Sequence, residues 1–271
     1  MNNKNRVPKV TVLMAGYKSN KEYLSQALES IKNQTFTDFE VVFVDDGCDA
    51  EIIELLNEYG ANFDINIIKN DMNMGLPKSL NKGLKHARGK YIARFDDDDI
   101  MLPDRLKTQV SFMDNNPQYA GCWTEYEVIN DKGNIIRKSK IGHPDFVKTF
   151  VSKGNCCCHS SLMLKNEILK SVNGYNEKFL YAQDLELYLR ILLKHKMYCI
   201  NSYQVQFREN TTRNPLDKRI LSFVFAYASA LEYVNKKRSF KARIYLTIRI
   251  LVMIKFSFFD IMKQNGSINE E

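Results

Sequence analysis

The sequence predicts an α/β fold: a mostly parallel sheet with helices on both faces, followed by C-terminal helices. Apolar runs alternate with segments of helical period four times before residue 100. The runs are β-branched and lack the inside–outside alternation of a half-exposed strand, so both of their faces are buried. Three of the four runs end at a glycine or an aspartate, residues that punctuate turns.

Val10 to Met14 reads as a buried strand that ends at Ala15-Gly16. Ser19 or Asn20 can cap a helix in which Leu24, Ala27, Leu28 and Ile31 share a face. Phe39 to Val44 is a second strand and runs into Asp45-Asp46-Gly47. Ile52 to Tyr59 is helical, and Ile65 to Ile68 is a third strand. Gly75 precedes a helix that aligns Leu76, Leu80 and Leu84. The fourth strand, Tyr91 to Phe95, stops at Asp96-Asp97-Asp98-Asp99. Beyond Pro103 the pattern is mixed, with helices over 106–113, 184–193 and 216–234 and strands near 120–129 and 160–164. No linker rich in Pro, Gly or Ser interrupts residues 1–215, which read as one domain; 216–271 reads as a helical, basic extension.

With 44% apolar and 26% charged residues, the 271-residue chain has the balance of a globular protein, which excludes disorder and fibrous classes. The net charge of +7 is matched by seven basic residues between Tyr233 and Phe259, a stretch with no acidic one. The remainder is neutral on balance, so no nucleic-acid partner is expected. Six cysteines are too few for a disulfide scaffold and lack the paired spacing of a zinc site. Cys156-Cys157-Cys158 reads as reduced, half-buried strand. The start of the chain shows no apolar signal core, so the expected location is cytoplasmic.

Gly16, Asp45-Asp46 and the four aspartates all fall at C-terminal strand ends, the edge where open α/β sheets bind ligands. No G-x-G-x-x-G or P-loop sequence is present. Four consecutive carboxylates repel one another unless a cation neutralises them. On an extended stretch Asp96 and Asp98 would face one way and Asp97 the other. Their hard oxygens suit Mg²⁺ or Mn²⁺. A plainer alternative has Asp98 or Asp99 capping the next helix.

Asp96-x-Asp98, followed by Leu102-Pro103-Asp104-Arg105-Leu106, resembles the D-x-D segment of the family-two glycosyltransferases, enzymes with the Rossmann-like GT-A fold. Ala15-x-Tyr17 stands where that family has P-x-Y-N, and Phe39 to Gly47 is similar to its second strand and D-D-G turn. Asn73-x-Gly75 with Leu80-Asn81-x-Gly83, His159 to Met163, and Gly174-Tyr175 through Gln183-Asp184 to Arg190 resemble its later motifs. The likeness runs over residues 8 to 210.

The resemblance implies an inverting transfer of sugar from a nucleotide-sugar, most commonly UDP-linked, to a hydroxyl of a glycan or lipid-linked acceptor in bacterial surface polysaccharide synthesis. Asp46 would then hydrogen-bond the base, and Ala15 and Tyr17 would flank it. Asp96 or Asp97 would take the ribose hydroxyls. Asp98, with Asp96, would hold Mn²⁺ or Mg²⁺. Asp184 would be the general base. Asn73 and Lys78 lie near the expected base pocket, although Asn73 can equally shape a turn, Lys78 can be a solvated helix lysine and Asp184 can be a helix cap. The chain departs from the pattern at Lys18, Cys48 and Arg208-Glu209-Asn210, where the family has asparagine, serine and R-x-H.

In residues 240–263 the charged groups fall on one arc of a helix opposite Ile244, Ile248, Leu251 and Phe258. This suits peripheral contact with an anionic membrane, or equally a core-packing or dimerising helix; a homo-oligomer stays open. A sugar-phosphate nucleotidyltransferase and a catalytically degenerate assembly module are the competing functions. The first expects a Gly-rich basic loop after the first strand, where the chain has Ala15-Gly16-Tyr17-Lys18. The second expects loss of Asp98 or Asp184, and both are present.

Overall fold

In a computed structural model the described residues are 7–140 and 157–209. The 216–234 helix, the basic extension and Cys156 lie outside them. Among the described residues no helix is long and apolar enough to cross a membrane.

The first strand, β1 (Val10–Gly16), is buried along its whole length. Helix α1 (Lys21–Lys32) begins at Asn20, whose side chain accepts from the Tyr23 amide at 3.1 Å, the capping bond expected of that residue type. Strand β2 (Phe39–Asp45), helix α2 (Ala50–Tyr59), strand β3 (Ile65–Lys69), helix α3 (Leu76–His86) and strand β4 (Tyr91–Arg94) complete the alternation. Then come β5 (Ile100–Met101), α4 (Arg105–Asn115), β6 (Tyr119–Ile129) and β7 (Ile135–Lys138). A 3-10 turn (His159–Ser161), β8 (Met163–Lys165), α5 (Asn166–Ser171), α6 (Gln183–Leu192) and β9 (Lys196–Arg208) follow.

The strands form one mixed sheet in the order β3-β2-β1-β4-β8-β6-β9-β5, with β7 beside β6. The first four are parallel, as their apolar runs require. Strand β8 is antiparallel to both β4 and β6, β9 runs parallel to β6, and β5 is antiparallel to β9. Successive residues of a strand face opposite sides, and β1 divides accordingly. Val10, Val12 and Met14 pack with Leu24, Leu28, Leu56 and Leu106 of α1, α2 and α4. Leu13 and Ala15 pack with Leu80, Leu185 and Leu189 of α3 and α6. Helix α3 rests so close to the sheet that a Cβ on Gly83 would stand 2.5 Å from Leu13 Cδ1.

Three local expectations are corrected. Strand β4 ends at Arg94, so Phe95 and the aspartates form a bend rather than an extended stretch. Residues 160 and 161 sit in the 3-10 turn, and Cys157 and Cys158 are buried ahead of it rather than half-buried in a strand. Trp123 to Tyr126 are the middle of β6, within the strand expected near 120–129, with Trp123 edge-on to Tyr188 at 5.1 Å. The cap of α4 is Asp104, so neither Asp98 nor Asp99 caps that helix.

Because β1 lies between β2 and β4, the chain reverses its direction of travel across the sheet at the β1–β4 pair. The loops at the C-terminal ends of those two strands part there and leave a crevice.

Candidate active site

The crevice is edged by Gly16-Tyr17 from β1, Asp45-Asp46 from β2 and the aspartate bend from β4. Ala15 is buried in β1, so it can offer its main chain alone. Tyr17 is 52% exposed, and a Cβ on Gly47, which has φ +116°, would lie 3.3 Å from its ring. Only glycine suits that approach and that backbone.

Asp46 is buried, and both of its oxygens are engaged by the chain. Oδ1 accepts from Asn70 Nδ2 and the Met74 amide, each at 2.7 Å, and Oδ2 accepts from the Gly75 amide at 2.9 Å. The residue expected to meet a base therefore braces the 70–75 loop. Asn73 is exposed and donates through Nδ2 to the Asp46 carbonyl at 3.4 Å. Lys78 is exposed in the first turn of α3.

Each of the four aspartates has a different environment. Asp96 accepts from Arg94 Nη2 through Oδ1 and from Ser160 Oγ, at 2.7 Å, through Oδ2. Burial opposes its charge, but Arg94 and Ser160 outweigh that and hold its carboxyl below the usual range. Asp97 accepts from Ser19 Oγ, yet burial and then the neighbouring Asp96 charge raise it. Among the described residues no other side chain donates to the Asp98 carboxylate; burial, then Asp96 and Asp97, push it up to about 7. Asp99 is fully buried, with Oδ1 accepting from the Arg208 amide at 2.8 Å and Oδ2 without a partner among the described residues. Burial and the charges of Asp96 and Asp98 raise it further. The expected division into two faces is thus replaced by four separate settings, since a bend turns each side chain its own way. Among the described residues no three acidic, histidine or cysteine side chains already converge on one point.

Arg208, in the late stretch, points inward. Its Nε donates to the Asp98 carbonyl at 2.9 Å, Nη2 to Gln26 Oε1 at 2.7 Å, and Nη1 to the carbonyls of Asn130 and Asp131. Its guanidinium lies 4.2 Å from the centre of the Tyr23 ring. It fastens the bend from below. The sequence places Ser160 and Arg208 in family-like stretches without giving either a role at the bend, and it does not single out Arg94, for which the position two residues before Asp96 was the signal.

Asp184 is half-buried in the first turn of α6. The cap of that helix is Ala182, in the left-handed region with φ +53°, so the cap role weighed for Asp184 falls to another residue. Its charge reaches Tyr175 and Tyr188: burial raises both phenols, Asp184 adds to the rise at Tyr188, and at Tyr175 Arg94 opposes it ahead of the smaller push from Asp184. His159 Nε2 meets the Tyr175 hydroxyl at 2.9 Å. Burial and the nearby Arg94 push the imidazole down to about 3, which leaves it neutral at physiological pH.

The arrangement has a cleft edge rich in carboxylates, a short supply of compensating cations, and a further carboxylate on a helix beyond the buried His159–Tyr175 pair. That combination suits a polyanionic ligand delivered with a cation, and proton removal from a second ligand.

Comparison with known proteins agrees. Residues 11–172 match the model of glycosyl transferase family 2. The O-antigen biosynthesis glycosyltransferase WbnJ of Escherichia coli is 32% identical over 186 residues, covering 68% of this chain and 71% of that protein. A mannosyltransferase from Pyrobaculum calidifontis, solved with GDP-Man and Mn²⁺, superposes with a TM-score of 0.68 at 18% identity, over 98% of this chain and 77% of that one. Residues 1–349 of S. aureus TarS, solved with UDP-GlcNAc, give 0.65 at 18% identity, over 86% and 73%. These structural likenesses carry the fold, which is the GT-A fold. The sheet with its switch-point crevice, the aspartate bend and the family match over residues 11–172 together make this chain a glycosyltransferase, a member of glycosyl transferase family 2.

Proposed function

We propose that the protein transfers a sugar, with inversion, from a nucleoside diphosphate donor, UDP-linked in the first instance, to a hydroxyl of a glycan or lipid-linked acceptor in surface polysaccharide synthesis. The observation that carries this reading is the Asp98 carboxylate. It faces no side-chain donor among the described residues and its pKa is raised to about 7, so the bend lacks a positive charge that a divalent cation would supply. The donor set is all oxygen, which fits Mn²⁺ or Mg²⁺, with Asp98 and Asp96 as the candidate ligands. When bound, such an ion neutralises charge on the departing diphosphate.

The chain's own residues have distinct tasks. Asp96 and Asp97, held by Arg94, Ser160 and Ser19, present oxygens to ribose hydroxyls. Tyr17 flanks the base, and the loop braced by Asp46 and Asn73 closes the base pocket, with Lys78 at its rim. Asp184 accepts the proton of the attacking hydroxyl. The polysaccharide setting is supported by the likeness to WbnJ, and the donor class by the nucleotide-sugars bound to the two structural neighbours. Membrane contact and any homo-oligomer rest on residues 233–263 and, like a cytoplasmic location, belong to the same reading.

The test is isothermal titration of UDP, and in parallel GDP, into the protein with Mn²⁺ and then with EDTA, beside Asp98→Ala. Binding that requires the metal and is lost in the variant is expected, after which Asp184→Asn should retain binding while transfer falls by about 10²–10⁴-fold. Failure to bind either nucleotide under any condition would overturn the reading.

A further inference from the structure

Arg94 is 1% exposed, among the largest fully buried side chains, in the last residue of β4. Among the described residues only Nη2 finds a partner, Asp96 Oδ1, while Nε and Nη1 are buried without one. A second buried guanidinium, Arg105, lies against it and donates to the Arg94 carbonyl at 2.8 Å. Enclosing a charged group with unsatisfied N–H groups is unfavourable, and a methionine of similar length would be easier to bury. Packing alone therefore does not explain an arginine here.

Asp96 is gripped at two further points. Ser160 Oγ donates to Oδ2 at 2.7 Å and accepts from the Asp96 amide at 3.0 Å. Ser160 itself is completely buried in the 3-10 turn, so its hydroxyl has no freedom to serve solvent. Asp96 is thus held through both carboxylate oxygens and its main chain by two residues that do not reach the cleft. Its neighbour Asp98 has no comparable grip.

We propose that Arg94 and Ser160 are positioning residues of the donor site, a two-sided clamp that sets the rotamer of Asp96 before the nucleotide arrives. This rests on the donor-site reading above. Groups that orient a ligand-binding carboxylate typically account for about 10–100-fold in affinity.

The test measures UDP and GDP affinity by calorimetry with Mn²⁺, alongside thermal melting, for wild type, Ser160→Ala, Arg94→Lys and Arg94→Met. The clamp predicts that Ser160→Ala melts close to wild type but binds about 10–100-fold more weakly. Arg94→Lys, which keeps a cation near Asp96, should bind between wild type and Arg94→Met. Should Arg94→Met fail to fold, Ser160→Ala and Arg94→Lys decide the matter. A wild type that binds, with Ser160→Ala and Arg94→Lys binding equally well, overturns the clamp alone. A wild type that binds neither nucleotide overturns the donor-site reading and the clamp with it.

Discussion

Replacing Asp46 by asparagine separates a bracing role from a ligand-contacting one. In the wild type the buried carboxylate accepts three hydrogen bonds, two at Oδ1 and one at Oδ2. Asparagine can keep its oxygen at the Oδ1 position and retain Asn70 and Met74. Its amide would then face the Gly75 N–H, donor against donor. One charge-assisted bond is lost and one part-buried amide faces a donor, which together cost about 1–3 kcal/mol. Asp46→Ala leaves the part-buried Met74 and Gly75 amides without their acceptor and Asn70 with its bond to Ser79 alone, on the order of 2–5 kcal/mol. Either value is a large part of the stability of a domain, about 5–15 kcal/mol. Urea unfolding followed by circular dichroism should show a lower midpoint with an unchanged slope for Asp46→Asn and a further drop for Asp46→Ala. An Asp46→Asn midpoint within about 0.5 kcal/mol of wild type would refute the brace. Loss of nucleotide binding in that same stable variant would return Asp46 to the base.

Two further outcomes follow from the packing and the charges. Gly83→Ala should destabilise the protein by about 1–3 kcal/mol despite the better helix propensity of alanine, because the added methyl meets Leu13 Cδ1 at 2.5 Å and Val44 Cγ2 at 3.0 Å; a rise in melting temperature would contradict the close α3–sheet contact. Asp114 accepts from the Tyr91 hydroxyl at 2.7 Å and from Lys9 and Lys90 at 3.0 and 3.1 Å. Burial alone would raise its carboxyl, but these three partners bring it down to about 2. Its folded pKa lies below the unfolded value near 4, so its contribution is complete above that value and is lost as pH falls toward 2. The stability gap between wild type and Asp114→Asn should therefore shrink between pH 5 and pH 2, and a gap independent of pH in that window would count against the ion pairs.

Much of the fold of residues 7–115 is legible in the sequence. Strands β1, β2 and β4 are buried on both faces and edge strand β3 is rich in isoleucine, so their apolar runs identify them together with the helices between them. Asn20 announced its helix, because a side chain that accepts the Tyr23 amide acts within one turn. The long β9 was not legible: Lys196 to Arg208 interleaves Asn, Ser, Gln and Arg with apolar residues, and its pairing partner β6 lies some 70 residues earlier in the chain. The turn at His159–Ser161 read as strand for the same reason, as short apolar stretches carry no period of their own.

By itself the sequence determined that an α/β sheet would carry its acidic residues on one edge, since strand periodicity and turn chemistry are local. It also determined the family, through motifs that recur in register. Only the tertiary structure decided which aspartate is charged, which is held and which lacks a partner. Arg94 and Ser160, 66 positions apart, meet at Asp96, while Arg208 reaches the bend 110 residues away in the chain. Burial and opposing charge set a carboxylate's behaviour over a few ångströms of space, and that distance bears no relation to separation along the chain.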